Sequence, residues 1–233
     1  MSRKISKTPQ SIKDMFDRIS GDYDKLNNLM SFGLHKKIKR DVIKKIQPLT
    51  SRFSQPACLD LCCGTGDLAD ILKKEYQQAR VVGVDFSPNM LKIAREKHPE
   101  IEFLEADCTQ LPFNDEQFDL CVISFGLRNI ENIEKALKEI YRVLKKGGYF
   151  INIDLGKPNR FFNIFLKPYM YLWVALLGKI FHGDETPYKY LAKSNEDFPS
   201  PKQLAELFKE VGFSQVTNKN YVFGQIASQN AQK

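Results

Sequence analysis

The chain has no C-x-x-C pair, and its five cysteines (Cys58, Cys62, Cys63, Cys108 and Cys121) are odd in number and mostly fall in predicted strands. That excludes a structural zinc site of the usual spacing and a disulfide framework, and it reads as small core side chains in a reducing cytosol. Residues 1–10 have no apolar run of the kind a secretory signal needs, which speaks against export. Repeats and low-complexity tracts are absent. The greasiest stretch, 161–181 with Trp173, is interrupted by Lys167, Pro168 and Lys179, which argues against a span of about 20 apolar residues. Neither the Asn-Pro-Pro-aromatic sequence of exocyclic amine methylation nor the Pro-Cys nucleophile of cytosine methylation occurs.

What is there is enough for one α/β domain. The 233 residues are 42% hydrophobic and 27% charged, with a net charge of +7 that suits an anionic partner, nucleic acid or membrane surface. The chain is organised around ACLDLCCGTGDLA at 57–69: a short apolar strand, a Gly64-Thr65-Gly66 turn, and a helix opening at Asp67. Glycines let backbone approach a ligand and the first helical N–H groups lack partners, so this is the cofactor edge of an open parallel sheet.

Around it the periodicity predicts alternating elements. Ile12, Met15, Phe16 and Ile19 mark a first helix ended by Gly21, and 22–33 is poorly periodic. Ile38, Val42, Ile43 and Ile46 mark a second helix closed by Pro48, its other face carrying Lys36, Lys37, Lys39, Arg40, Lys44 and Lys45. Strands are predicted at 80–85, 101–105, 118–124 and 149–155, with Lys145, Lys146, Gly147 and Gly148 as a helix stop. Ser200 and Pro201 start a last helix that Gly212 stops, and two strands follow around Val216 and Val222. Strand–helix alternation implies a doubly wound parallel sheet, with ligands at the carboxyl ends of its strands.

Gly64 to Ala69 fits G-x-G-x-x-A, and Asp85 follows at the distance of a ribose-binding acid, which suits NAD and S-adenosylmethionine alike. The neighbouring acids discriminate. Asp60 and Asp67 would repel a pyrophosphate but favour a sulfonium and an ammonium. Asp85 then accepts both ribose hydroxyls, Asp107 accepts the adenine amino hydrogen while the Cys108 backbone N–H donates to the ring, and Ser124 lies beneath the methionine portion. Asp107 as a loop cap, and Asp60 and Asp67 as a strand-end group and a helix cap, are the structural alternatives.

LDLCCGTGDLA, VGVDFSPNML, ADCTQLPFNDEQFD and SFGLRNI resemble the ubiquinone/menaquinone biosynthesis C-methyltransferase family, as do MFDRISGDYDKLNNLMSFGLHKKIKR and EDFP, so the resemblance covers nearly the whole chain. Asp154-Leu155-Gly156-Lys157-Pro158 departs from that family's Glu-Phe-Ser-Lys-Pro. The resemblance implies a class I, Rossmann-like methyltransferase with a mostly parallel seven-stranded sheet, N-terminal helices and a helical insertion before the last strands. It implies one domain: 1–50 a helical substrate cap, 51–156 the cofactor-binding core, 157–195 a helical lid, and 196–233 the last helix and final strands. It places S-adenosylmethionine on Thr65, Asp85, Asp107, Cys108 and Ser124, to which the reading of the turn adds Asp60, Gly64 and Gly66, with no metal, and it sets Arg128, Asn129 and Tyr23 near the ring of a polyprenyl quinol. The quinol is demethylmenaquinol, or the methoxy-benzoquinol of ubiquinone synthesis.

In such a reaction Arg128 stabilises a phenolate, Asn129 orients it, and Tyr23 or His35 takes a proton; for Arg128 the rival is a structural ion pair. No nucleic acid is expected, since the RNA methyltransferase reading would need surface aromatics or an added module. An NAD oxidoreductase and a non-catalytic scaffold are the other rivals. The expected setting is cytoplasmic with peripheral contact to an anionic membrane surface, and a homodimer is left open.

Overall fold

The computed structural model describes residues 8–159, 161–164, 190, 194–195 and 197–233. Residues 1–7 and most of the 157–195 insertion, including Trp173 and nearly all of the apolar run at 161–181, lie outside the described residues. No helix among the described residues is long and apolar enough to cross a membrane.

Seven strands form one sheet: β1 (Ala57–Leu61), β2 (Arg80–Asp85), β3 (Glu102–Glu105), β4 (Phe118–Ser124), β5 (Leu144–Leu155), β6 (Ser214–Tyr221) and β7 (Ile226–Gln232). Their order is β3-β2-β1-β4-β5-β7-β6. β1 to β5 run parallel, and β7 pairs antiparallel with both β5 and β6. The chain winds outward from β1 through β2 to β3, then returns to lay β4 on the other side of β1. That reversal opens a crevice beyond the ends of β1 and β4.

Strand period two assigns the two faces. Cys58, Val81, Leu120 and Val122 pack with α3 (Leu34–Thr50), α4 (Asp67–Glu75) and α5 (Pro88–Lys97). Leu59, Val82, Cys121 and Ile123 pack with α6 (Ile133–Val143) and α7 (Pro201–Val211). Asp60 shares its face with Cys58, so its carboxylate is aimed into the α3–α4 layer. α1 (Pro9–Ile19) and α2 (Tyr23–Ser31) cross the carboxyl ends of the strands.

Caps fix the helix starts. Ser87 accepts the Met90 N–H at α5, Asn132 accepts the Lys135 N–H at α6, and Ser200 with Gln203 forms a reciprocal box at α7, which ends at left-handed Gly212 as expected.

Four local expectations are corrected. Within 22–33, Tyr23–Ser31 is helical as α2, whose one buried residue, Leu26, leaves little periodicity to read. Pro48 sits inside α3 rather than closing it; in the last turn a proline forfeits only one helical hydrogen bond, and Thr50 Oγ1 pins the end to the Tyr76 hydroxyl at 2.6 Å. Lys145 to Gly148 are not a helix stop but the irregular start of β5, where the pairing with β4 shifts between Phe118 and Leu120 and Gly147 turns left-handed. Val222 lies in the turn between the last two strands, left-handed with Phe223, and the final strand is the polar-looking β7. It is buried all the same, with Asn152 Nδ2 donating to Gln229 Oε1 at 2.6 Å across β5 and β7.

Candidate active site

A cavity of about 310 Å³ opens in the crevice, within the size range of small-molecule sites. One wall is the strand-end series Cys62, Gly64, Asp85, Asp107, Cys108 and Ser124. The loop after β4 supplies Phe125, Gly126, Asn129 and Ile130, and the roof is Ile12 and Phe16 of α1 with Tyr23 of α2. Of the expected binding residues, Gly64, Asp85, Asp107, Cys108 and Ser124 are brought together here with Tyr23 and Asn129. Asp60, Thr65, Gly66 and Arg128 stand behind this surface.

The turn owes its shape to its glycines. Gly64 (φ 56) and Gly66 (φ 87) are left-handed, and a Cβ on Gly66 would fall 2.8 Å from His98 Cδ2 and 3.0 Å from Phe103 Cζ. Asp85 braces it, Oδ2 accepting the Gly64 N–H and Oδ1 the Ser87 N–H, both at 2.9 Å. Burial pushes the Asp85 carboxyl up to about 6, against the pull of those backbone donors. Asp107 Oδ1 accepts the Thr109 N–H at 2.7 Å and so does cap its loop, while still facing the cavity.

The roof is clasped to the same turn. Thr65 Oγ1 donates to Asp24 Oδ1 at 2.6 Å, Lys97 also holds Asp24, and Ser87 Oγ donates to Asp17 Oδ1 at 2.5 Å. Sequence reasoning missed Asp17 and Asp24, because nothing local distinguishes them from other surface acids of an amphipathic helix.

Behind the turn, Asp60 is fully buried and its Oδ2 has no hydrogen-bond partner. Burial pushes it up to about 7, opposed first by Lys39. Lys39 is itself buried, and burial lowers it against Asp67 and Asp60, so it is not part of the exposed basic face assigned to it. The signal was present: Lys39 is three, four and seven residues before Val42, Ile43 and Ile46, on the apolar stripe. Burial raises Asp67 too, but the His35 ring and the Lys39 and Lys36 ammoniums outweigh it and hold it well below the usual carboxylate range. His35 is buried on Ser31 and near Asp67, away from the cavity.

Arg128 is 7% exposed and committed. Its Nη1 donates to Asp154 Oδ1 at 2.6 Å and to the Phe125 carbonyl at 2.7 Å, and its backbone N–H reaches Asp154 Oδ2 at 3.2 Å. Asn129 Nδ2 donates to the same Phe125 carbonyl, and its Oδ1 accepts from the Tyr190 hydroxyl, each at 3.3 Å. Burial raises Tyr23, opposed first by its hydrogen bond with Asn27 and then by Arg128, so its hydroxyl stays protonated.

These groups fit S-adenosylmethionine. Carboxylates at Asp85 and Asp107 offer acceptors for hydroxyl and amino hydrogens, the orphaned Asp60 oxygen adds negative potential behind the turn, and the only cation among the described lining residues is Lys135. A pyrophosphate would meet the carboxylates of Asp60 and Asp67 there, while the ammoniums of Lys36, Lys39 and Lys97 beside the turn each already answer an acid.

The comparisons agree. Residues 4–233 match the ubiE/COQ5 methyltransferase family. A protein of Lactococcus lactis named demethylmenaquinone methyltransferase is 39% identical, over 96% of this chain and 90% of its own length. One of the same name from Listeria monocytogenes is 37% identical, over 94% of each. Among solved structures, a SAM-dependent methyltransferase from Thermotoga maritima superposes with a TM-score of 0.67 at 21% identity, over 94% of this chain and 99% of that one. The fold, the donor set and a match running almost end to end place the chain in the ubiE/COQ5 methyltransferase family, as an enzyme that takes its methyl group from S-adenosylmethionine.

Proposed function

We propose that this enzyme methylates a ring carbon of demethylmenaquinol to give menaquinol. The observation that carries the reading is a single cavity in which an acidic nucleoside wall meets an apolar, hydroxyl- and amide-bearing wall: Asp85 and Asp107 on one side, Phe16, Ile130, Tyr23 and Asn129 on the other. The two relatives' name supplies the acceptor's identity.

S-adenosylmethionine, when bound, supplies an electrophilic methyl carbon on a sulfonium leaving group. The protein's own task is to hold the ring in line and to favour its phenolate, which pushes charge onto the carbon. Tyr23, kept protonated by burial, donates to the phenolate oxygen, and Asn129, held by Phe125 and Tyr190, fixes its direction. Arg128 supplies positive potential from beneath the loop while Asp154 keeps its guanidinium in place. Arg128→Lys therefore lowers turnover with donor affinity unchanged, because a point charge cannot hold the fork on Asp154 and Phe125 together.

A prenyl quinol resides in a bilayer, so the enzyme docks there peripherally. Lys37, Arg40 and Lys44 are exposed on α3, and Phe32, at the left-handed end of α2, is 78% exposed. Incubating the purified protein with S-adenosylmethionine and a short-tailed demethylmenaquinol, with mass analysis of the quinone, tests the reading: a gain of one methyl group is expected. Methylation of the methoxy-benzoquinol alone would assign the enzyme to ubiquinone synthesis instead.

A further inference from the structure

Of the five cysteines, Cys62 and Cys108 line the cavity. Cys62 follows β1 in a left-handed conformation (φ 51) and Cys108 follows β3 beside Asp107. Between those strands lies β2, ending in Asp85, so the two thiols reach toward each other across the carboxylate that braces the glycine turn. Their sulfurs are 3.6 Å apart. Gly126 backs Cys62 so tightly that a Cβ there would stand 2.5 Å from the Cys62 Cβ, so the Cys62 side chain rests against bare backbone. Cys58 and Cys121 are wholly buried in the sheet, and neither lines this cavity.

We propose that Cys62 and Cys108 are a reversible dithiol–disulfide couple, that a quinone ring entering the cavity is its oxidant, and that the oxidised protein binds S-adenosylmethionine more weakly. Only the identity of the oxidant rests on the quinol reading above. One thiol adds through sulfur to the quinone and the second attacks that sulfur. The S–S bond forms, the carbon–sulfur bond breaks, the electron pair passes to the ring, and the two thiol protons end on its oxygens. The quinone is reduced to the quinol and the two cysteines are oxidised, with nothing left over; an external dithiol resets the pair by exchange.

The Cys108 contact and burial hold the Cys62 thiol well above its ordinary range, so the pair rests as two thiols, open to an oxidant that enters the cavity they line. Closing the sulfurs to a bond length of about 2.05 Å brings them roughly 1.5 Å nearer each other in front of Asp85, by side-chain rotation and by movement of the two loops that carry them. Gly64 and Asp107, two residues or fewer away along the chain, move with them. A quinone cannot accept the methyl group, since its ring carbon lacks the phenolate's push, so the couple turns a dead acceptor into a live one and registers the event in the donor pocket.

The test uses the full chain, reduced and then exchanged into reductant-free buffer. It is treated with diamide, which needs no quinone site, or with duroquinone, whose fully substituted ring cannot be left on the thiol. Intact mass, peptide mapping and titration with S-adenosylmethionine are read before and after dithiothreitol. The expected result with both oxidants is a loss of two hydrogens, one Cys62–Cys108 linked peptide, and donor affinity at least tenfold weaker that recovers on reduction. Cys62→Ser and Cys108→Ser each abolish the mass change and the oxidant's effect on affinity. Oxidation by diamide but not by duroquinone would overturn the quinone as oxidant. Linkage through another cysteine, no mass loss with either reagent, or unchanged affinity in the linked protein would overturn the couple itself.

Discussion

Asp85 makes donor binding depend on pH in a direction that its position dictates. Burial lifts its carboxyl to about 6, so the empty pocket holds a proton that an unfolded chain would already have lost. Only the ionised form accepts hydrogen bonds from two hydroxyls at once, so binding requires that proton to leave. At about pH 5 roughly one Asp85 in ten is ionised, against nearly all at about pH 7.5, so affinity for S-adenosylmethionine falls about tenfold between them, ~1.4 kcal/mol. Stability runs the other way. A raised carboxyl contributes stability that is complete below the ordinary carboxylate range and is lost as pH rises through the folded value, about 6 for Asp85 and about 7 for Asp60. The donor therefore protects the fold most where the empty protein is weakest. Equilibrium dialysis with labelled donor at several pH values measures the slope, and calorimetry in two buffers of different ionisation enthalpy counts the proton released. Asp85→Asn weakens binding on the order of 10- to 100-fold and flattens its pH dependence between about pH 5 and 6, whereas Asp60→Asn keeps the slope there and removes only the part near its own value of about 7. An affinity that does not change between pH 5 and 7, or a low-pH slope that survives in Asp85→Asn, would refute this account.

Three further outcomes follow from the geometry. Asp154→Ala strands the Arg128 guanidinium in a buried site and costs about 3–5 kcal/mol in urea unfolding, more than any surface pair here would. Gly66→Ala, with φ at 87 and His98 and Phe103 in the way, lowers both the melting temperature and donor affinity, whereas Gly21→Ala, with nothing within 4 Å, leaves donor affinity as it was. Replacing Lys37, Arg40 and Lys44 by Gln reduces co-sedimentation with anionic but not neutral vesicles, and slows turnover on long-tailed quinol while sparing a short-tailed one; equal loss on both would make α3 an ordinary solvated face.

The strand–turn–helix at 57–75 was legible because its instructions are local: an apolar run, glycines where the backbone must turn left-handed, and Asp85 one strand further on. β2 and β4 were legible to the residue because both are bounded by a change in polarity. What could not be read was pairing at a distance. Arg128 finds Asp154 from 26 residues away, and the rival reading of a structural ion pair had no partner until β5 lay beside the loop. β7 was misplaced because its sequence, IASQNAQ, has strand-like burial without strand-like composition: small and amide side chains suffice where β5 and β6 already flank it. Lys39 was grouped with the basic face by proximity in sequence, although helical spacing sets it against Asp60 and Asp67.

The clasp between the roof and the glycine turn joins two events that are usually considered separately. Asp24 holds the Thr65 hydroxyl and Asp17 holds Ser87, and Asp85 holds the backbone of Ser87 and of Gly64, so the helices over the acceptor and the loops under the donor share one hydrogen-bonded chain. Thermodynamic reciprocity then applies: whatever donor binding gains by ordering this chain, acceptor binding gains equally from finding it ordered. The coupling favours neither ligand as the first to arrive: each is held more tightly once the other has set the clasp, and the departure of either loosens the hold on the one that remains.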